Sequence, residues 1–244
     1  MDDKDMYRVI VSFTTLPSRI DKVYKMLDSL AEQSYKKFEV HANIPYHSTL
    51  ENEKYIIPEE WDKYEFLKVY RTKDWGSYTK LYPTLKRIGG YYPVITVDDD
   101  IIYHKDLVKE MLKADIRYNG KCALGWCGVW SKNDSRFFVG PTEKDTEVDI
   151  IEGYKGALYY KRFFNMSKYR RNIEDYWCDD TVTSLLCKAK KIVCRYKGDT
   201  NFEPRVESFP YVKGISMPDS GIKIRVGEVG SRGRLDRSVK ATFK

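Results

Sequence analysis

Through the first half of this chain, apolar runs of strand length alternate with segments of helical spacing, and that alternation restricts the fold more than any other property of the sequence. Tyr7 to Thr14 (YRVIVSFT) reads as a buried strand. Pro17 and Ser18 then open a helix whose apolar residues Ile20, Val23, Leu27 and Leu30 recur at helical intervals. Phe38 to Ile44 and Phe66 to Tyr70 supply a second and a third strand, with Glu51 to Lys63 between them fitting neither pattern. Thr79 to Ile88 reads as a helix closed by Gly89 and Gly90, and Tyr92 to Val97 as a fourth strand. Beyond it, Asp106 caps a helix reaching Asp115, Cys122 to Trp130 is a strand broken by glycines, and Ser131 to Asp149 is polar loop. Tyr154 to Arg162 is extended, Asp179 to Ala189 helical, and Ile192 to Tyr196 a late strand. Parallel strands need crossover connections, so the expected fold is α/β: one Rossmann-like domain, its central sheet mainly parallel with helices on both faces. Ligands of such sheets bind beyond the carboxyl ends of the strands.

The fourth strand delivers Asp98, Asp99 and Asp100 to that edge. On extended backbone Asp98 and Asp100 share a face, about 6 to 7 Å apart. Two like charges at that distance repel by roughly 3 kcal/mol at an effective dielectric of 20. A hard divalent cation with oxygen ligands is the simplest group to relieve the repulsion. The competing reading is a solvated turn. A second acidic pair, Asp179 and Asp180, opens a helix, where it is either dipole-stabilised capping acid or a proton acceptor.

Composition narrows the classes of function. The 244 residues, 42% hydrophobic and 32% charged, suffice for one substantial core, and no internal linker divides them. We therefore read one domain over 1–214 and a tail over 215–244. From Asp219 onward the chain carries seven Lys or Arg against three acids, with glycines at 221, 227, 230 and 233. Such a tail suits a phosphate-bearing substrate or peripheral contact with an acidic membrane surface. The remaining basic residues of this +7 chain are scattered, so no nucleic-acid partner is expected. The acidic start, MDDKDM, and the shortness of the apolar runs give neither a signal peptide nor a transmembrane segment, and a cytoplasmic location is expected. Five cysteines without a CxxC pair, and three histidines, fit reduced thiols better than disulfides or zinc.

Taken in order, VSFTTLPSRI with LAEQSY, DWGSYTKLYPTL, VITVDDDIIY, EGYKGALYYKRFF and WCDDTVTSLL resemble the motif series of nucleotide-sugar-dependent glycosyltransferases of the A-type fold, in particular small bacterial and large-virus members. The resemblance covers roughly residues 7 to 196. It implies a DxD motif in which Asp98 and Asp100 hold Mn2+ or Mg2+ against the donor diphosphate. Thr14, Thr15, Arg19, Asp74, Lys80, Asp98 and Asp99 are then donor-side residues, with the Lys80 charge near the phosphates. Gly153, Tyr154, Gly156 and Trp177 fall on the acceptor side, and Asp180, with Asp179 beside it, supplies the base of inverting members. Trp126 and Trp130 fit either sugar stacking or core. The expected partners are a nucleoside diphosphate sugar and a glycan, lipid-linked or protein hydroxyl. In retaining members the best-known metal pattern adds a late histidine to the DxD; no histidine follows His104 here, which leans against that variant. A metal-dependent nuclease or phosphatase and a non-catalytic glycan- or nucleotide-binding module are the rival classes.

Overall fold

The computed structural model describes residues 8–132, 135–140, 144–173 and 179–195. Among the described residues eight strands form the main sheet, in the order β3 (Leu67–Thr72), β2 (Phe38–Pro45), β1 (Val9–Phe13), β4 (Pro93–Thr96), β10 (Ala157–Tyr160), β5 (Cys122–Gly125), β11 (Lys190–Val193) and β8 (Thr146–Val148). The pairs β3/β2, β2/β1, β1/β4 and β11/β5 are parallel; β10 runs antiparallel between β4 and β5, and β8 antiparallel along β11. Every residue of β1, β4, β5 and β10 is buried, so both faces of the sheet's centre are covered, as an α/β sheet requires. A smaller sheet sets β6 (Gly128–Lys132) between β7 (Ser135–Val139) and β9 (Ile150–Ile151). The helices are α1 (Tyr24–Ala31), α2 (Tyr82–Arg87), α3 (Leu107–Arg117), α4 (Met166–Ile173) and α5 (Asp179–Leu186).

The register between β1 and β4 positions the site. Ser12 lies opposite Thr96, and the Val97 N–H donates to the Ser12 carbonyl at 3.1 Å. Whatever follows Phe13 and whatever follows Val97 therefore leave the sheet side by side.

Several local expectations change. The segment after Pro17 winds first as a 3-10 helix (Pro17–Lys22), and α1 begins only at Tyr24. The Ile20 and Val23 pair, three apart, fits three residues per turn, and both are buried together with Leu27 and Leu30. Likewise Tyr78–Lys80 is a 3-10 turn, and α2 starts afresh with Pro83 in its first turn, where the missing N–H leaves no helical hydrogen bond unmade. Asp106 occupies the position before α3, but its carboxylate accepts from the Ser34 hydroxyl at 2.6 Å; the helix's free Val108 N–H is satisfied instead by the Gln33 side chain at 3.0 Å.

Cys122 to Trp130 is two strands in two sheets rather than one. A Cβ at Gly125 would stand 2.5 Å from Ile151, and one at Gly128 2.5 Å from the Ile150 carbonyl, so both glycines let β9 approach. The stretch Ser131 to Asp149 is not simply loop, since β7 and β8 lie within it. Between 51 and 63 a single 3-10 turn (Glu59–Lys63) delivers Trp61 to the core edge-on to Phe13. No helix among the described residues is long and apolar enough to cross a membrane. The tail over 215–244, and Trp177, lie outside the described residues.

Candidate active site

The end of β1 and the end of β4 open onto a cleft of about 370 Å3. Thr14, Thr15, Arg19, Asp74, Lys80, Asp98, Asp99, Asp100 and Asp179 all line it. The aspartate triplet does not continue the strand, because β4 ends at Thr96 and the chain turns at Asp99 and Asp100. Strand alternation therefore does not set the directions of these side chains; two cations do.

Arg19, from the 3-10 helix behind β1, forks between Asp99 Oδ1 at 2.6 Å and Asp100 Oδ2 at 3.1 Å. Asp99 is only 5% exposed and also accepts from the Thr15 hydroxyl at 2.5 Å. Burial pushes its carboxyl up to about 6 despite the Arg19 charge and that hydrogen bond. Asp98 meets Lys80 Nζ at 2.8 Å, while its own N–H donates to the Tyr103 hydroxyl at 2.8 Å. Tyr103 passes its proton to the Tyr154 carbonyl at 3.0 Å, joining the triplet to the turn Gly153–Lys155.

Lys80 also stands 2.9 Å from Asp179 Oδ2, an ion pair without the angle of a hydrogen bond. Burial opposes the ammonium, but Asp179, Asp98 and Asp180 outweigh it and hold Lys80 protonated well above its ordinary range. Asp180 is raised well above the carboxylate range by burial and then by Asp179, with Lys80 and the Gly153 N–H pulling the other way. Gly153 packs so closely that a Cβ there would lie 2.8 Å from Asp180 Oδ1 and 3.5 Å from Lys80 Nζ. It belongs to the carboxylate's seat.

Other expected residues are placed differently. Asp74 lines the cleft, but both its oxygens brace the wall: Oδ2 accepts from the Thr49 N–H and hydroxyl, each at 2.8 Å, and Oδ1 from the Gly76 N–H at 2.8 Å. Gly156, with φ +93°, turns the chain into β10, and a Cβ there would meet Leu107 and Met111 of α3. Trp126 is core, whereas Trp130 lies on the exposed β6/β7 hairpin against Phe137.

Thr49, Leu50 and Tyr55, from the connection after β2, also line the cleft and carried no sequence signal, since nothing local distinguishes them from an ordinary loop. Tyr103 was signalled only as the last residue of VITVDDDIIY.

Four carboxylates that line the cleft, Asp98, Asp99, Asp100 and Asp179, thus pair with two cations, Arg19 and Lys80, leaving a formal excess of two negative charges, while Asp180 lies beside Gly153 and Lys80 just outside the cleft lining. The oxygen-only donor set suits a hard divalent ion. Among the described residues no three acidic, histidine or cysteine side chains converge as a ready cage. The residues therefore fit an ion held by one or two carboxylates that completes its shell with water or phosphate oxygens.

The fold is that of the A-type nucleotide-sugar glycosyltransferases. Staphylococcus aureus TarS matches over 79% of this chain and 36% of its own, with a TM-score of 0.51 and 19% identity. TarS residues 1–349 in complex with UDP match over 76% and 57%, with TM-score 0.49 and 20% identity. The mannosyltransferase PcManGT of Pyrobaculum calidifontis, in complex with GDP-Man and Mn2+, matches over 77% and 54%, with TM-score 0.45 and 17% identity. The chain thus spans little more than a third of the TarS chain, and at these identities the likeness is one of fold. No protein-family model and no curated protein sequence matches it.

Proposed function

We propose that the protein is a metal-dependent glycosyltransferase that moves a sugar from a nucleoside diphosphate sugar to a hydroxyl acceptor, with inversion, in glycan biosynthesis. The observation that carries this reading is the meeting, around one cleft at the carboxyl edge of an A-type sheet, of an anion excess and a half-buried, protonated lysine. Asp98 and Asp100 would hold Mn2+ or Mg2+, which when bound supplies positive charge against a diphosphate. Lys80, kept charged by three aspartates, faces the same place and offsets negative charge developing on a leaving group. Arg19 keeps Asp99 and Asp100 turned toward the cleft, and Thr14, Thr15 and Asp74 form the donor-side wall.

Asp180 takes the proton of the acceptor hydroxyl as that oxygen attacks the anomeric carbon and the bond from that carbon to the diphosphate oxygen breaks, releasing the nucleoside diphosphate. Its raised proton affinity suits a base, and the Gly153 N–H and the Lys80 charge favour its ionised form. Asp179, paired to Lys80 at 2.9 Å, orients the acceptor. Gly153 and Tyr154 border the acceptor, while Gly156 contributes the bend behind them.

The test is single-turnover transfer by Asp180→Asn and Asp179→Asn. We expect a loss of about a thousandfold for Asp180→Asn with donor binding intact, in the range of a missing general base. Asp180→Asn turning over like the parent, or release of phosphate without sugar transfer, would overturn the reading.

A further inference from the structure

One buried polar network remains outside this chemistry. It begins with Glu39, whose carboxylate accepts from Arg8, from Lys68 at 2.7 Å and from His41 at 2.7 Å. Arg87 Nη1 reaches His41 Nδ1 at 3.1 Å. Arginine can only donate, so Nδ1 is the unprotonated nitrogen and Nε2–H donates to Glu39. The other Arg87 nitrogen donates to Asn43 Oδ1 at 2.9 Å, which fixes the amide's orientation by the same logic. The Asn43 amide then donates to Ser12 Oγ at 3.0 Å and to Thr84 Oγ1 at 2.8 Å. Ser12, with those two groups around its oxygen, sends its single proton to the Lys80 carbonyl at 2.6 Å.

Each atom in this chain has one consistent role, and Ser12, Asn43, Thr84 and His41 are buried. From Glu39 the network passes through the solvent-facing Arg87, stacked 3.5 Å over the Tyr70 ring, and ends on the backbone of the residue whose ammonium enters the cleft. It crosses three elements, β1, β2 and α2. The carbonyl of Lys80, the last residue of the 3-10 turn Tyr78–Lys80, is anchored by the Ser12 hydroxyl of β1.

We infer that Ser12, Asn43 and Arg87 are positioning residues that act through Lys80, an inference that rests on the Lys80 role proposed above. The network fixes where the Lys80 backbone sits, and so where its Nζ stands between Asp98 and Asp179. A directional chain suits this task better than apolar packing, because each bond sets an orientation as well as a distance.

Two readouts test it on the 244-residue chain. The first needs no activity: acylation of Lys80 by an N-hydroxysuccinimide ester, read by peptide mass spectrometry with exposed Lys86 as internal reference. In Ser12→Ala and Arg87→Met, Lys80 labelling should rise about fivefold over the parent while Lys86 is unchanged, because a released turn exposes its lysine more often. The second is turnover in a double-mutant cycle. Arg87→Met should cost about tenfold alone and less than about twofold in a Lys80→Met background, since its effect passes through that side chain. A purely structural network would give losses that multiply in both backgrounds. Near-UV circular dichroism confirms folding, and Ser12→Ala, which deletes one oxygen, serves if Arg87→Met unfolds. Unchanged Lys80 labelling in a folded variant overturns the inference. Failure of the parent to transfer any sugar overturns the functional reading instead, and the labelling result still decides the positioning claim.

Discussion

Replacing Gly153 by alanine separates the chemistry of this site from its stability. The new Cβ would stand 2.8 Å from Asp180 Oδ1, and ordinary van der Waals contact begins at 3.4 Å, so the carboxylate must retreat by about 0.6 Å. Gly153 does not occupy the left-handed region, so its backbone accepts alanine without strain. The group that yields is the end of a side chain, and the folding cost should stay below about 1 kcal/mol. Activity is far more sensitive, since a misplacement of about 1 Å costs on the order of a hundredfold when a reacting geometry must be held. A shift of about 0.6 Å therefore predicts a kcat loss between about tenfold and a hundredfold, or roughly 1.4 to 2.7 kcal/mol of barrier. The assay is single-turnover sugar transfer at saturating donor and metal, beside thermal melts of both proteins. Turnover within about twofold of the parent, at unchanged melting temperature, would refute the claim that the Asp180 position matters to the reaction.

Three further outcomes follow from the same geometry. Asp100→Ala should abolish metal-dependent transfer with the fold kept; full activity of this variant in metal-depleted buffer would remove Asp100 from the metal site. Tyr103→Phe strips the hydroxyl that joins the Asp98 N–H to the Tyr154 carbonyl, and should lower unfolding stability by about 1 to 3 kcal/mol in urea titrations. Glu39 governs acid sensitivity: burial alone would raise its carboxyl, but hydrogen bonds from Lys68 and His41 outweigh it and bring it from 4.5 to about 2. A carboxylate depressed in the folded state stabilises above its unfolded value, so this contribution is present above pH 4.5 and lost as pH falls toward 2. Its ceiling is about 3 kcal/mol, reduced because Arg8 and Lys68 are screened by solvent. Glu39→Gln should flatten the stability curve across that window, as chemical denaturation against pH would show.

The fold was legible where burial is two-sided. VIVSF and PVIT carry no polar alternation because helices and loops cover both faces, and uninterrupted apolar runs betray such strands directly. The edge of the molecule was harder to read. β7 and β8 belong to a stretch whose polar composition describes its exposure rather than its backbone, and Phe137 and Phe138 point into solvent. Capping at α3 misled for a related reason, since Gln33, distant in sequence, does what adjacent Asp106 was expected to do.

For the site, the location of the aspartate triplet was legible but its geometry was not. Alternation assumes that the strand continues, whereas the chain turns after Thr96 and Arg19 gathers Asp99 with Asp100. Asp74 and Gly156 illustrate a second limit: a motif names a residue without saying that its oxygens are occupied by Thr49 and Gly76, or that its glycine faces Leu107. Tyr103 and the Ser12–Asn43–Arg87 chain depend on register between elements far apart in sequence, and no local pattern encodes register.

Isothermal titration of a panel of nucleoside diphosphate sugars into the protein, with Mn2+ and after its removal by chelator, tests the central claim most directly. At least one donor should bind more than about tenfold tighter with the ion present, a coupling of about 1.4 kcal/mol or more. That gain should vanish in Asp98→Asn and Asp100→Asn. Binding of no donor, or a donor affinity indifferent to both the ion and these substitutions, would contradict it.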